Sequence, residues 1–282
     1  MTAAGGELTS GPDQAPRSSW ALLPALCVSL SAVCWFWIES DPLGYAALGL
    51  GLIAAAVVDR AKGTRVLPDL ALIGTSLAVI SLISLKADIS YPAILTFGIV
   101  LTSAVVIPYL GSRFLLKDHA IRFPWKGRRW NRAQWTYLIV VVVAGYVLLP
   151  YYFIASGVYR NWPAIHAPDE LVRLFVGVNA VGIWDELFFI CCVYTLLRRH
   201  FPTWQANALQ AMIFVSFLWE LGYQAWGPAL TIPFALVQGA IFQFTKNLAY
   251  VVTVHLTFDL VVFLVLVHAH NPAWPHPFVL LG

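Results

Sequence analysis

Five ionisable side chains stand in stretches that are otherwise apolar. Asp185 and Glu186 lie inside the run from about Leu171 to Leu197, and Glu220, His255 and Asp259 recur in later runs. Each such group at mid-membrane costs roughly 2.5–3.5 kcal/mol on insertion scales. Four or five of them uncompensated would cost on the order of 10 kcal/mol, comparable with the whole stability of a domain, so they must pair or line a wet cavity. The bland alternative treats each alone: His255 as a hydrogen-bonded packing residue, and Glu220, beside Gly222 and Gln224, as an acid reaching the interface. Taken together, they favour one shared functional cavity. There a carboxylate can act as general base for a water, while an imidazole and a second side chain donate to a developing oxyanion. In a membrane that is peptide-bond hydrolysis. His with carboxylates is also a workable zinc ligand set, although no cofactor is expected. H-E-x-x-H, G-x-S-G and G-x-G-D are all absent.

The elements that position these groups follow from composition. With 282 residues, 60% hydrophobic and 11% charged, against about 25% charged for soluble chains, the protein reads as a polytopic membrane protein. The mean hydropathy of +0.75 agrees. No polar block is large enough for a soluble domain. Nine spans are predicted at 20–38, 42–58, 66–85, 91–111, 135–154, 171–198, 205–224, 228–243 and 247–268, the eighth being the shortest. Residues 1–18 read as a disordered cytosolic tail before an uncleaved first helix, because they lack the basic start of a secretory signal. Residues 19–154 then form N-terminal transmembrane helices carrying a basic loop, 112–134, and residues 155–282 form the core that holds the acids.

The loops alternate in basic content. Arg60, Lys62 and Arg65 follow the second span, seven Lys and Arg follow the fourth, Arg198 and Arg199 the sixth, and Lys246 the eighth. The intervening loops are poorer, which places the N-terminus in the cytosol and the C-terminus outside. The net charge of +3 is thus a topology signal, and no nucleic-acid partner is implied. Loop 112–134, with Trp125, Trp130 and Trp135, either simply fixes orientation or is an interfacial segment that docks on anionic headgroups or recruits a partner. Cys27, Cys34, Cys191 and Cys192 have no metal or disulfide spacing and read as packing residues. His268, His270 and His276 read as exposed, unpaired histidines at the outer edge.

Depth arithmetic brings the acids together. At about 1.5 Å per residue, Asp185 lies about 20 Å above the cytosolic helix ends, Glu220 about 24 Å, His255 about 12 Å and Asp259 about 18 Å, so with tilt they share one layer. His255 and Asp259 are four apart and lie on one face. Asp185 and Glu186 are about 100° apart, so only one is expected to aim straight at a common centre while the other flanks it.

Segment 185–259 resembles the CPBP family of intramembrane endopeptidases, relatives of the CAAX prenyl endopeptidases and of bacteriocin-immunity membrane proteins. The family's E-E-x-x-F-R motif is matched by Asp185-Glu186-Leu-Phe-Phe189-Ile190, followed by Arg198-Arg199-His200-Phe201. Its last motif is matched by Gly239, Thr245-Lys246-Asn247-Leu248 and His255-Leu-Thr-Phe-Asp259. Four positions depart: Asp185 replaces a Glu, Ile190 the motif Arg, Asp259 the closing Asn, and Leu218 the His of a middle F-x-x-x-H motif that would start at Phe214. The resemblance implies an all-α polytopic bundle in a bacterial cell membrane, acting on a membrane-anchored protein or peptide. Asp185 and Glu186 would polarise water, Glu220 would share or relay the proton, and His255 with Asp259 would orient the scissile carbonyl or stabilise its oxyanion. The alternative it leaves open is a catalytically inactive scaffold of the same fold, serving as a chaperone, immunity or lipid-handling factor. A proton-coupled transporter is the third class, but the duplicated broken helices of carriers are absent.

Overall fold

The computed structural model describes residues 19–127, 129–275 and 277–278. The 1–18 tail and His276 fall outside them. Nine main helices follow in chain order: α1 Ser19–Trp37, α2 Asp41–Lys62, α3 Val66–Ile80, α4 Tyr91–Leu115, α5 Arg132–Ala155, α6 Pro168–Leu197, α7 Thr203–Leu221, α8 Pro228–Thr245 and α9 Leu248–His270. Each of the nine expected spans has its helix, and no strand occurs among the described residues. Seven helices are long and apolar enough to cross a membrane; α3, at 15 residues, and α7 are the other two. The chain is therefore an all-helical, integral membrane bundle.

Helix starts follow local chemistry. Asn131 accepts from the Gln134 N–H while the Gln134 side chain accepts from the Asn131 N–H, closing a capping box on α5. Asn247 accepts from the Tyr250 N–H at the start of α9, and the Asp59 carboxylate accepts from the Val66 and Leu67 N–H groups at the start of α3. Helix α3 ends at Ile80, five residues short of the expected 85. Residues 81–90 continue as an irregular strap whose Leu85 N–H is satisfied by a side chain from α7 instead of by a helical carbonyl.

The two ends of the bundle are tied separately. At one end Arg199 pairs with Asp69 of α3 and with Asp118, and the Leu248 N–H donates to the Pro124 carbonyl. The basic segment after α4 is thus pinned beneath the α8–α9 turn, as irregular chain over residues 117–127 and 129–131. At the other end Lys86 pairs with Glu39, Asn161 donates to the Gly222 carbonyl and Asn271 to that of Ile165. Phe188, Phe189, Phe214 and Phe217 fill the core where α6 meets α7.

Candidate active site

Helix α6 widens to π geometry from Glu186 to Tyr194, directly after Asp185. Such widened turns are rare and recur at functional sites. Here the two adjacent acids reach opposite nitrogens of one imidazole. The His255 Nδ1 lies 2.7 Å from Glu186 Oε1, and its Nε2 lies 3.6 Å from Asp185 Oδ2. Both acids thus contact the imidazole, one at each nitrogen. Asp259, one turn on from His255, brings Oδ1 to 3.7 Å from the same Nε2.

All four side chains are 1–4% exposed, deep enough that water does not screen them from outside. Glu186 Oε1 accepts a second hydrogen bond, at 2.8 Å, from Gln238 Nε2 on α8. Phe234 stands edge-on to the imidazole at 5.0 Å between ring centres, and Phe214 lies 6.2 Å away. Asp185 Oδ1, Glu186 Oε2 and Asp259 Oδ2 have no hydrogen-bond partner among the described residues. Buried carboxylate oxygens are normally satisfied, so those of the two cavity-lining acids, Asp185 and Asp259, suggest ligand or water positions.

Asp185, His255 and Asp259 form the floor of a cavity of about 490 Å³, within the range typical of ligand sites. Its walls are apolar, from α4 and α6, and include Phe97, Leu101 and Val181. Glu186 does not line it; it lies behind the imidazole, where its carboxylate fixes the ring orientation. Helix α6 comes close because residue 182 is glycine: a Cβ there would collide with the Asp259 carboxylate.

Glu220 does not join this cluster. Its Oε1 accepts from the Leu85 N–H at 2.8 Å and lies 3.5 Å from the Ser84 hydroxyl, so it anchors the 81–90 strap. Glu220 thus turns towards the strap and away from His255, because helix rotation decides where a side chain points. Leu218 lines the cavity, so the position expected to hold a histidine does face the site but carries an apolar group. Ile190, at the motif Arg position, is 1% exposed within the core. Gln238 and Gly182 were not anticipated. The signal for Gln238 was available, a Gln in an apolar helix next to motif residue Gly239; Gly182 could be recognised only once α9 was placed. Among the described residues, no group of three or more His, Cys, Asp and Glu is spaced to hold a metal ion.

Residues 167–261 match the family model described as type II CAAX prenyl endopeptidase Rce1-like. This segment is CAAX-endopeptidase-like. It spans α6 to α9 up to Val261, and so contains Asp185, Glu186, Gln238, His255 and Asp259. No curated protein and no solved structure matches the chain. The Rce1-like segment carries the candidate site's polar residues, while α4, outside it, supplies a cavity wall.

Proposed function

We propose that the protein is an intramembrane endopeptidase that hydrolyses a peptide bond of a membrane-anchored protein or peptide. The observation that carries this reading is His255, held at Nδ1 by Glu186 while Nε2 faces two cavity-lining carboxylates. A water at the cavity floor attacks the scissile carbonyl carbon, and Asp185 takes its proton. His255, protonated on both nitrogens, donates from Nε2 to the oxyanion that forms, and Asp259 flanks the same nitrogen. Collapse breaks the C–N bond, and Asp185 returns the proton to the departing amine. Glu186 and Gln238 are positioning residues. The apolar walls accept the substrate's membrane anchor, and the family resemblance favours a prenyl chain. No metal is required in this scheme. Activity after exhaustive chelation should be unchanged, whereas loss that zinc restores would make the same groups zinc ligands.

The second reading, an inactive scaffold, is favoured by Leu218 and Asp259, which replace the His and Asn of the family pattern. Cleavage of a lipid-anchored reporter peptide in proteoliposomes separates the two. Glu186→Gln and His255→Ala should each lose most of the activity while remaining folded; full activity in both would exclude the enzymatic reading.

A further inference from the structure

Tyr223 lines the cavity whose floor is Asp185, His255 and Asp259, and its hydroxyl makes no hydrogen bond among the described residues. We infer that Tyr223 is a catalytic residue, donating from its phenol O–H to the oxyanion that forms on the scissile carbonyl. This rests on the proteolytic reading above and adds a second donor to it.

Its place follows from the end of α7. Gly222 adopts φ +135°, which L side chains rarely take, and a Cβ there would come to 2.9 Å from Trp162 Nε1. The Gly222 and Tyr223 N–H groups both turn back onto the Leu218 carbonyl, at 3.2 and 2.9 Å. Tyr223 is thereby folded back towards the last turn of α7 and lines the same cavity as Leu218. It is 8% exposed, and its ring is held edge-on between Phe153 and Trp162, whose ring centres lie 5.7 and 5.6 Å away. A donor fixed in this way needs no reorganisation when charge develops.

The floor is short of donors. Attack by water moves the carbonyl π pair onto oxygen while Asp185 takes the proton, so negative charge forms beside the Asp259 carboxylate. Ionised Asp259 is an acceptor only, and the proton on Asp185 is destined for the departing amine, which leaves His255 Nε2 as the floor's one donor to that oxygen. Leu218 and Asp259 stand where the family pattern has an imidazole and an amide, and the phenol restores one of those donors. The charges of Asp259 and Asp185 reach the Tyr223 phenol, yet neither acid is hydrogen-bonded to it. Its O–H is free for a ligand. The phenol lends a hydrogen bond and keeps its proton, so the proton balance between water, Asp185 and the amine is unchanged. Other donors on the lining are engaged or turned elsewhere. Arg173 is held by the Ile89 carbonyl and Asp169, and Trp184 donates to the Leu101 carbonyl. Tyr91 is 70% exposed beneath the Arg173 guanidinium, Thr102 is exposed on α4, and Trp162 Nε1 lies against Gly222. Tyr152, whose ring also packs on Phe153, donates to the Gln224 carbonyl at 2.7 Å.

Tyr223→Phe removes the hydroxyl and keeps the ring. On a lipid-anchored reporter peptide in proteoliposomes, kcat should fall about 100-fold or more with KM little changed. A tetrahedral phosphinate analogue of the same peptide should lose affinity by a similar factor, because it carries the anionic oxygen that the substrate lacks. Since the hydroxyl bonds to no protein group, the melting temperature should equal or exceed the parent's. A variant that melts well below the parent would make the hydroxyl structural, and an unchanged kcat or a loss confined to KM would leave the oxyanion without this donor. Each of these overturns the proposal while cleavage by the parent stands. A parent that leaves the reporter uncut sinks the proteolytic reading, and this proposal with it.

Discussion

Two clusters of buried acid and imidazole lie in this bundle, and only one opens on a cavity. At the basic end Asp69 is 2% exposed, yet both of its oxygens are engaged, Oδ1 by Arg199 at 2.8 Å and Oδ2 by His200 at 2.5 Å. Asp118 completes that cluster, sharing Arg199 and accepting from the Ser112 hydroxyl and the Ala120 N–H. Two acids there meet a guanidinium and an imidazole. In the cluster around His255, three acids meet one imidazole, and each acid keeps one oxygen without a protein partner. Burial of charge is common to both. What separates a clasp from a candidate reaction centre is unsatisfied hydrogen-bonding capacity in a cluster that borders a cavity.

The contrast is sharpened first at Gly182. Gly182→Ala places a Cβ against the Asp259 carboxylate and must push α9 or that side chain aside. A 1 Å displacement of a reacting group is enough for losses on the order of 100-fold. Reporter cleavage should fall at least tenfold while the melting temperature stays near that of the parent; unchanged cleavage would show that the packing of Asp259 on α6 is irrelevant to the chemistry. Arg199→Ala makes the opposite kind of change. It leaves Asp69 buried without its guanidinium, which should cost roughly 3 kcal/mol of stability. Thermal unfolding should register that loss, and the turnover of the folded fraction should not; a fall in turnover instead would give the clasp a part in the site.

Glu220 supplies a smaller effect. Glu220→Gln keeps an acceptor for the Leu85 N–H, so both stability and cleavage should stay within about 1 kcal/mol of the parent. A deep loss of cleavage in that variant would restore the acid to the reaction. The smallest expected effect is one of pH. Burial raises the Asp118 carboxyl, but the Ser112 hydroxyl, the Ala120 N–H and Arg199 together hold it below the ordinary carboxylate value. A depressed carboxylate contributes stability that is complete above its unfolded-state value, near 4, and is lost as pH falls through the lower folded value. Melting temperature should therefore decline on acidification below about pH 4, and Asp118→Asn should flatten the decline.

The sequence disclosed much of this because a bilayer is a harsh solvent. Apolar runs long enough to span and basic loops that alternate leave little freedom, and every helix but α3, which ends five residues early, lies close to its expected bounds. Asp185, Glu186, His255 and Asp259 stood out for the same reason, since each is costly unless compensated. Rotation about the helix axis was not legible. Glu220 sits at a plausible depth but turns towards the strap, and no periodicity in an apolar helix reveals that. The π turn that begins directly after Asp185, where adjacent acids meet one ring, was equally hidden. Asp69 passed unnoticed because it lies near a helix start among loop charges, although its partner Arg199 was in view as a topology signal.

The central claim is that the open cluster, and not the closed one, performs chemistry. Its most direct test is the turnover number of Asp185→Asn against the parent in proteoliposomes, at matched folded fraction, on a lipid-anchored reporter peptide. Removing a general base costs about 100-fold or more, and a loss of that size with an unchanged melting temperature is the expected result. Turnover equal to the parent would show that the cavity-lining Asp185 activates no water, and the His255 cluster would then be a second clasp.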